Sequence, residues 1–519
     1  MQQPMELRTQ RSLFALAVAF AISAASLVFP MADLSAQAPK PKATVSPAAK
    51  KTPAASQLTL SDLVDGVYAQ YPPYLAALIE RDVAQGKLRS ARGIFDFQTF
   101  VDIFDNTQGF YEATTVEAGF EQFTGIWGST IYGGYRYTEG FLPDYYYERR
   151  TEAGGEPEVG IKLPLMQNRA IDERRATLLK AKLENEQADP KIRKQQLDFT
   201  KAAMFAYYNW FAEVRKLAAT EEMLRIAQDR REAVKTQIEK GMVAPVIEVE
   251  NDQMVISREL SLLKAQRAFE AGSIALSLFH RNEYSEPIIP SRALAPERLP
   301  EPFPLRADIT TGAIAFALDH RPELAYLEIE LQKLGVDARL FRNKALPKLD
   351  TFVGASQGIG AHRYKDTGDF ELKTGLQFRL PLQRNEARGK QEENAAKIEQ
   401  TQNEYRFVID RISAEIHNAF SAVTLALDQV ERARKNTGLA LKLQKVEQDR
   451  FELGATDLLG LMIREQAAFQ ARLDEIESLN QYYKAISDFL MATGIKLDAA
   501  ESAPAEIRQI IQSLGLKAP

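Results

Sequence analysis

The sequence predicts a mainly α-helical fold with a smaller β part, built from two copies of one unit. In each copy, strands lead into a long helix and a shorter returning helix. A Leu-Pro-Leu motif at residues 163–165 precedes a charged, alanine-rich segment at residues 166–240, and the same order follows a second Leu-Pro-Leu motif at residues 380–382. At 1.5 Å per residue the first segment would be about 110 Å long, which exceeds the size of one compact domain.

Composition excludes several classes of function. The 519 residues include 65 lysines and arginines and 70 aspartates and glutamates, so the formal net charge is only −5. This balance provides no basic field for nucleic acid. The absence of cysteine excludes disulfides, thiolate metal sites, a cysteine nucleophile and a lipid-anchored N-terminal cysteine. The 4 histidines are isolated, and we expect no metal site, no cofactor and no catalytic residue.

The N-terminus predicts export. Arg8 and Arg11 precede an uncharged apolar run at residues 13–29, and small residues at 35–38 offer a cleavage site. We therefore assign residues 1–38 to a signal peptide, with a single membrane anchor as the alternative. Residues 39–56 are rich in Pro, Ala, Lys and Thr and are expected to form a flexible leader. No later stretch approaches the roughly 18 consecutive apolar residues of a helical span.

The first unit is assigned to residues 57–283. It begins with a helix at residues 59–92, for which Ser61 offers an N-cap and which the Pro-Pro pair at residues 72–73 interrupts. The apolar period then becomes alternating, which is typical of strands. We predict these strands at residues 97–104, 115–123, 129–137 and 158–165. Tyrosine and glycine in the third strand are typical of a strand between two different solvents, and a sheet in a soluble domain is the alternative.

A long helix and its return complete each unit. In the first unit these lie at residues 166–240 and 246–279, and a proline-rich connector at residues 284–308 follows. The second unit is assigned to residues 309–497, and residues 498–519 form a C-terminal tail. The elements of the second unit are a helix at residues 309–344 that is interrupted near its middle, two strands at residues 349–358 and 370–380, a long helix at residues 383–453 and a return helix at residues 458–491.

The duplication can be checked along the chain. Residues 73–109 align without a gap onto residues 322–358, with Gly86 matching Gly335. Each return helix is about half as long as its partner, so the helices at residues 59–92 and 309–344 have the length needed to complete the pairing. A strict 3-4 apolar spacing in the second long helix predicts a coiled-coil seam. Its members are Ile409, Ile412, Ile416, Ala419, Val423, Ala426, Val430 and Ala433.

Strands and helix turns thus lie at opposite ends of the long helices. A strand of about ten residues spans a bilayer only in a closed barrel, because an open edge leaves backbone groups unsatisfied in lipid. Four to six strands are too few for a wide barrel, so several chains must close one together. Helices that continue from such a barrel would enclose a conduit.

In these features the sequence resembles the TolC-like family of outer-membrane efflux proteins. The two Leu-Pro-Leu motifs, the His-Arg-Pro-Glu-Leu segment at residues 320–324 and the helix–turn–helix at residues 450–459 carry the resemblance. It implies a homotrimer with a shared β-barrel in the outer membrane and an α-helical barrel across the periplasm. The partners implied are a periplasmic adaptor protein and an inner-membrane efflux pump or ABC exporter. The implied function is passive export, without an enzymatic step.

The resemblance also implies roles for the helix turns. They would form the periplasmic tip, where the duct narrows and the adaptor docks, and a glycine suits the left-handed position of a sharp helix reversal. The tip residues are Gly241, Val243, Pro245, Gly454, Thr456, Asp457 and Leu458. The candidate constriction residues are Glu248, Glu250, Phe451, Gly460, Ile463 and Arg464.

The chain departs from the family at this constriction. Gly460 and Ile463 stand where well-known members have aspartates, and Phe451 and Thr456 occupy the positions of an aromatic–arginine latch. We therefore do not expect a cation-binding aspartate ring. Two other classes remain open, a periplasmic structural or adaptor coiled coil without a pore and an envelope-bound enzyme. The duplicated order argues against the first, and the absence of a recognisable catalytic motif argues against the second.

Overall fold

A computed structural model describes residues 57–142, 150–240, 244–363, 369–497 and 504–516. The predicted signal peptide and leader lie outside these residues. The helices are α1 (Leu60–Gln70), α2 (Pro72–Gly93), α3 (Glu173–Glu239), α4 (Val246–Ser277), α5 (Ile309–His320), α6 (Pro322–Lys344), α7 (Asn385–Glu452), α8 (Leu458–Ala492) and α9 (Ala505–Ser513). The strands are β1 (Gln98–Asn106), β2 (Ala113–Phe123), β3 (Thr130–Gly140), β4 (Glu156–Pro164), β5 (Lys348–Gln357) and β6 (Phe370–Arg379).

The element order repeats as the sequence predicts. The order α1-α2-β1 corresponds to α5-α6-β5, and the pair α3-α4 corresponds to α7-α8. Tyr71 and Arg321, which separate the short helices, are both extended, with ψ of 112° and 125°. Each precedes a proline, whose ring disfavours the helical conformation of the residue before it. The first copy has four strands and the second has two among the described residues.

Two local predictions need correction. The N-cap of α1 is Thr59 rather than Ser61, because the Thr59 hydroxyl accepts the Asp62 N–H at 3.2 Å. The first long helix begins at Glu173 rather than at residue 166. Asn168 is left-handed, with φ of 70°, and Asp172 caps the helix by accepting the Arg175 N–H at 2.8 Å. The intervening residues therefore form a turn between β4 and α3.

The six strands form one antiparallel sheet in chain order. Each strand pairs with the next, and β4 pairs with β5, so the two copies share a continuous sheet. Val159 lies opposite Ala355 in this joining pair. Among the described residues, β1 and β6 each have one edge without a partner strand. The sheet is therefore complete within the chain except at its two outer edges.

The long helices α3 and α7 take part in two rows of four packed helices. Beside the sheet the order is α2-α3-α6-α7, which we name the sheet-side row. Beside the helix turns it is α4-α3-α8-α7, which we name the turn-side row. The short helices thus supply the partners that the return helices leave missing, as predicted. Within the described ranges, none of the helices has both the length and the apolar character of a membrane span.

The main hydrophobic core lies where the two rows meet. Trp210, Tyr482 and Phe489 are fully buried there, as are Ile412 and Ile416 of the predicted seam. The proline-rich connector passes over this core, since the Phe303 N–H donates to the Tyr482 hydroxyl at 3.0 Å. Residues that the sequence assigns only to a tail include α9, whose isoleucines pack into the same core.

Candidate functional site at the sheet faces and the helix turns

The register of the sheet separates an apolar face from a charged face. Successive residues of a strand point to opposite faces, so the pairing places one set of apolar side chains together. This apolar face is exposed within the single chain, and examples from five strands are 39% to 68% exposed. We define it by Val101, Val116, Ile131, Val159, Val353 and Leu376.

The opposite face carries charges in lateral rows. Asp102 lies opposite Glu117, and Glu117 lies opposite Arg136. Arg136 in turn lies opposite Glu156, with 2.8 Å between its guanidinium nitrogen and the carboxylate oxygen. We name this surface the charged face. A sheet of this kind separates an apolar phase from water, provided that its two edges are paired.

The second helix turn is built around Gly454, as predicted. Gly454 has φ of 71°, its N–H donates to the Phe451 carbonyl at 3.0 Å, and the Ala455 N–H donates to the Arg450 carbonyl at 2.8 Å. These two bonds form a Schellman motif, which requires a left-handed residue at the glycine position. The helix α7 therefore ends at a defined residue and the chain reverses at once.

The start of α8 is capped by Asp457, and the other predicted residues of this turn lie beside it. The Asp457 carboxylate accepts the Gly460 N–H at 2.8 Å and is the N-cap of α8. Leu458 is 1% exposed and anchors the first helical turn in the packing. Thr456 is half-buried beside Gly460. Asp457 is thus a helix cap, and the docking role that we expect for these residues stays a prediction.

The first helix turn is described only in part. Gly241 and Val243 lie outside the described residues. Pro245 is the N-cap of α4 without a side-chain cap, and the Glu248 N–H donates to its carbonyl at 3.1 Å. Glu248 is half-buried and Glu250 is exposed, and within the described ranges neither forms an ion pair.

The candidate constriction residues do not form a site within one chain. Phe451 is half-buried, whereas Ile463 is 57% exposed and Arg464 is exposed. No hydrogen bond or ion pair in the described part of the chain joins the first turn to the second. Anywhere in the described part of the chain, no three or more histidine or acidic side chains are placed together to hold a metal ion. A constriction at these residues would need neighbouring chains.

A buried charge cluster in the turn-side row was not predicted. Arg230 of α3 forms an ion pair with Glu465 of α8, and their side chains are only 9% and 7% exposed. Arg258 of α4 is 4% exposed, and burial lowers its pKa while the nearby Glu465 carboxylate opposes that effect. Sequence alone gave no signal, because charged residues on amphipathic helices are normally solvated.

Apolar stripes on the two outer helices of the turn-side row were also missed. On α4 the stripe is 51% to 68% exposed, and on α7 it is 49% to 84% exposed. Both fit the 3-4 spacing of a helix–helix seam with interruptions, of which the longest lies between Leu425 and Leu439. The α4 stripe is Val246, Val249, Ile256, Leu260, Leu263 and Ile274, and the α7 stripe is Leu425, Leu439, Leu443, Val446 and the C-cap residue Leu453.

Known proteins resemble this chain in sequence family and in fold. Residues 313–494 match the family model described as outer membrane efflux protein. The structure is similar to the CmeC outer membrane channel of Campylobacter jejuni, with a TM-score of 0.60 and 14% identity over 89% of this chain and 90% of that chain. It is also similar to the open state of the MtrE outer membrane channel of Neisseria gonorrhoeae, with a TM-score of 0.61 and 12% identity over 86% and 93% of the two chains.

A third similar structure is the outer membrane protein VceC of Vibrio cholerae, with a TM-score of 0.59 and 14% identity over 84% of this chain and 96% of that chain. No curated protein matches the sequence. At these identities the structural similarity establishes the fold, which confirms the predicted mainly α architecture with strands and duplicated helical hairpins.

Proposed function

We propose that this chain is the outer-membrane channel subunit of a tripartite efflux or type I secretion system, because residues 313–494 match the outer membrane efflux protein family. The channel is a passive duct across the outer membrane and the periplasm. No catalytic step is assigned to it. We retain residues 57–283 and 309–497 as its two structural units, preceded by a signal peptide at residues 1–38.

The observation that carries this proposal is that the sheet and the turn-side row are open at corresponding edges. The strand β1 and the helix α4 belong to the first copy, and β6 and α7 to the second. Among the described residues, each of these four elements leaves either backbone groups or an apolar stripe without a partner. If β1 and α4 of one chain contact β6 and α7 of the next chain, the unpaired backbone groups and the exposed apolar stripes all gain partners. Repetition of this contact around a symmetry axis closes a ring. We propose a homotrimer, as the family resemblance implies.

The two sheet faces define the orientation in the membrane. In the ring, the apolar face contacts lipid and the charged face lines a water-filled barrel. Strands of 9 to 11 residues extend roughly 30–36 Å, enough to cross a bilayer when tilted. The helices then extend from the barrel into the periplasm. Since the sequence contains no cysteine, anchoring does not involve a lipidated cysteine.

We assign the helix turns to docking and gating. The periplasmic adaptor would contact the tip residues around Pro245, Gly454 and Asp457, and the duct would narrow at Phe451 and Ile463. The tip presents exposed apolar side chains, including Leu453, which is 84% exposed. Such side chains in a single chain favour burial against other subunits or an adaptor. The inner-membrane pump or ABC exporter would supply the cargo and the energy.

Single-channel conductance in a planar lipid bilayer tests the proposal. Detergent-extracted protein is expected to insert and give stable current steps, and Phe451→Ala or Ile463→Ala is expected to raise the conductance of a closed tip. As a matched control, Leu318→Ala changes an exposed residue of α5 and should leave the current unchanged. Protein that stays soluble without detergent and gives no current would instead support a periplasmic coiled coil.

A helix-breaking substitution tests the assembly. Ala419 is buried in the α7 seam, and Ala419→Pro removes a backbone hydrogen bond and introduces a clash, at a cost of about 3 kcal/mol or more. Size-exclusion chromatography with light scattering is expected to find no trimer. Normal trimers of this variant would contradict the assignment of a continuous helix α7 through residue 419.

A further inference from the structure

Arg258 of α4 is a buried cation without a partner. It is 4% exposed, and its Nε atom is buried without a hydrogen-bond acceptor. Across the described part of the chain, no carboxylate forms an ion pair with it. A guanidinium group does not release its proton in a protein, so burial does not make it neutral. Because an isolated buried charge is strongly destabilising, the folded chain needs an anion at this point.

The neighbouring charges do not neutralise Arg258. Glu465 of α8 already forms the ion pair with Arg230 of α3, and both of these side chains are almost completely buried. One carboxylate therefore balances two guanidinium groups, which leaves an excess of one positive charge. Burial lowers the pKa of Arg258, the Glu465 carboxylate opposes this shift, and the positive charge of Arg230 adds to it. Among the described residues, Glu465 is the one carboxylate that acts on Arg258.

The aromatic contact of Arg258 does not supply the missing charge. Its guanidinium carbon lies 5.6 Å from the centre of the Phe469 ring of α8. The face of an aromatic ring attracts a cation but has no net negative charge, and a guanidinium group carries five N–H donors. Arg258 is thus a contact between α4 and α8, which both pack against α3. Its donors remain available at this contact.

We propose that the Arg258 guanidinium group binds a small monovalent inorganic anion, for which chloride is the probe, at a position that we name the anion site. The Arg258 N–H groups donate to the anion, and Arg230 contributes through its charge. One negative charge balances the excess of one positive charge, whereas a dianion would reverse its sign. Since Arg258 is almost completely buried, a compact ion is favoured over the carboxylate of another polypeptide.

The anion site lies close to the helix turns. Glu465 is about 10 Å along α8 from Leu458, the first residue of that helix. A bound anion would therefore link α4 to α8 near this end of the turn-side row. Because the site exists only in the folded chain, the anion stabilises that chain by mass action. The inference does not depend on the proposed function, since every residue of the site belongs to one chain.

Chloride NMR tests binding directly. Full-length protein in detergent is transferred to sodium gluconate, and chloride is added back at constant ionic strength. Exchange of chloride with the anion site is expected to broaden the chloride resonance, and excess bromide should narrow it again by competition. A line width equal to that of detergent alone would overturn the proposal.

Unfolding in urea measures the effect on stability, because guanidinium chloride would itself supply the anion. Protein concentration and ionic strength are held constant while chloride replaces gluconate. Above the dissociation constant of the site, the apparent folding equilibrium constant should rise about tenfold for each tenfold increase in chloride. Screening depends on ionic strength and not on the identity of the anion. Equal stability in chloride and gluconate would therefore contradict the anion site.

Arg258→Met separates anion binding from a purely structural role. Methionine keeps a flexible apolar side chain beside Phe469 and removes the unpaired charge. The variant should lose the chloride dependence and should be at least as stable as the wild type in gluconate, where the anion site of the wild type is empty. A purely structural role predicts a lower stability in both salts.

A matched control and a measurement on the wild type complete the test. Arg472→Met changes an exposed arginine of α8 and should keep the wild-type chloride dependence. A chloride dependence that survives in Arg258→Met would overturn the proposal. In wild-type crystals soaked in bromide, anomalous scattering should locate an ion beside the Arg258 guanidinium group. The absence of such a peak, or a carboxylate of a neighbouring chain in its place, would also overturn it.

Discussion

The sheet-side row and the turn-side row use charged residues in different ways. In the sheet-side row the ion pair between Arg81 and Asp189 is solvated, with side chains 50% and 63% exposed. In the turn-side row the pair between Arg230 and Glu465 is almost completely buried, with Arg258 beside it. Exposed pairs contribute little to stability, whereas one partner removed from a buried pair leaves an uncompensated charge. Loss of one partner is therefore expected to cost more at the Arg230–Glu465 pair than at the Arg81–Asp189 pair.

The largest expected effect is at Glu465. Glu465→Ala leaves Arg230 and Arg258 buried without a counter-charge and is expected to lower the free energy of unfolding by about 3–5 kcal/mol. Denaturant unfolding measures the loss, and limited proteolysis should show cleavage near the turns before cleavage near the sheet. Arg230→Met combined with Glu465→Met should recover part of the stability, because it removes the pair as a whole. A loss below about 1 kcal/mol for the single variant would remove the distinction between the rows.

The turn itself gives the next largest effect. Gly454→Ala places a side chain at φ of 71° and is expected to cost about 1–2 kcal/mol. Gly438 in the interior of α7 has open space where an added Cβ atom would lie, so Gly438→Ala should stabilise by about 0.5–1 kcal/mol. Thermal unfolding of the two variants should therefore shift in opposite directions. Shifts in the same direction would contradict the assigned geometry of the turn.

A smaller effect concerns acid stability in the turn-side row. Partial burial opposes ionisation of Glu477, but hydrogen bonds from Lys216 and Gln481 outweigh it, so the pKa of Glu477 lies below its ordinary value. The ionised form is thus favoured by folding, and its contribution is complete above the unfolded pKa of about 4.3 and is lost as the pH falls through the folded pKa. Glu477→Gln should lower stability at neutral pH and reduce its fall in acid. If the variant and the wild type lost the same stability in acid, the stabilisation assigned to the contact between Glu477 and Lys216 would be contradicted.

The smallest effect is expected at the exposed pair of the sheet-side row. Asp189→Asn removes the charge that Arg81 contacts at 2.5 Å, yet solvent already screens it. We expect a change of about 0–1 kcal/mol in the free energy of unfolding, which should diminish further in high salt. A loss as large as that of Glu465→Ala would mean that the two rows do not differ.

The fold was predictable where a periodic pattern extends over many residues. The seam at Ile412, Ile416 and Val423 is buried as its 3-4 spacing predicts, and all six predicted strands are present. Boundaries were less predictable where one side chain decides them. The cap of Asp172 on α3 and the cap of Thr59 on α1 depend on which hydroxyl or carboxylate reaches a free N–H, and several nearby residues were chemically suitable.

The candidate site was predictable only in its local geometry. Gly454 and Asp457 have recognisable roles in ending and starting helices, and the structure places them in those roles. Glu465 was not identified. A glutamate on an amphipathic helix has the pattern of a solvated residue. Its burial depends on Arg230 and Arg258, which are distant in sequence and which local patterns do not contain.

In the proposed homotrimer, the exposed stripes on α4 and α7 would make the folding of this protein depend on its abundance. A solitary chain leaves both stripes in water, so their burial would be available only on contact with other copies. Folding and association then form one equilibrium, and the apparent stability rises with protein concentration by mass action. A modest decrease in synthesis would therefore cause a more than proportional decrease in functional channels, because scarce chains are both fewer and less stable.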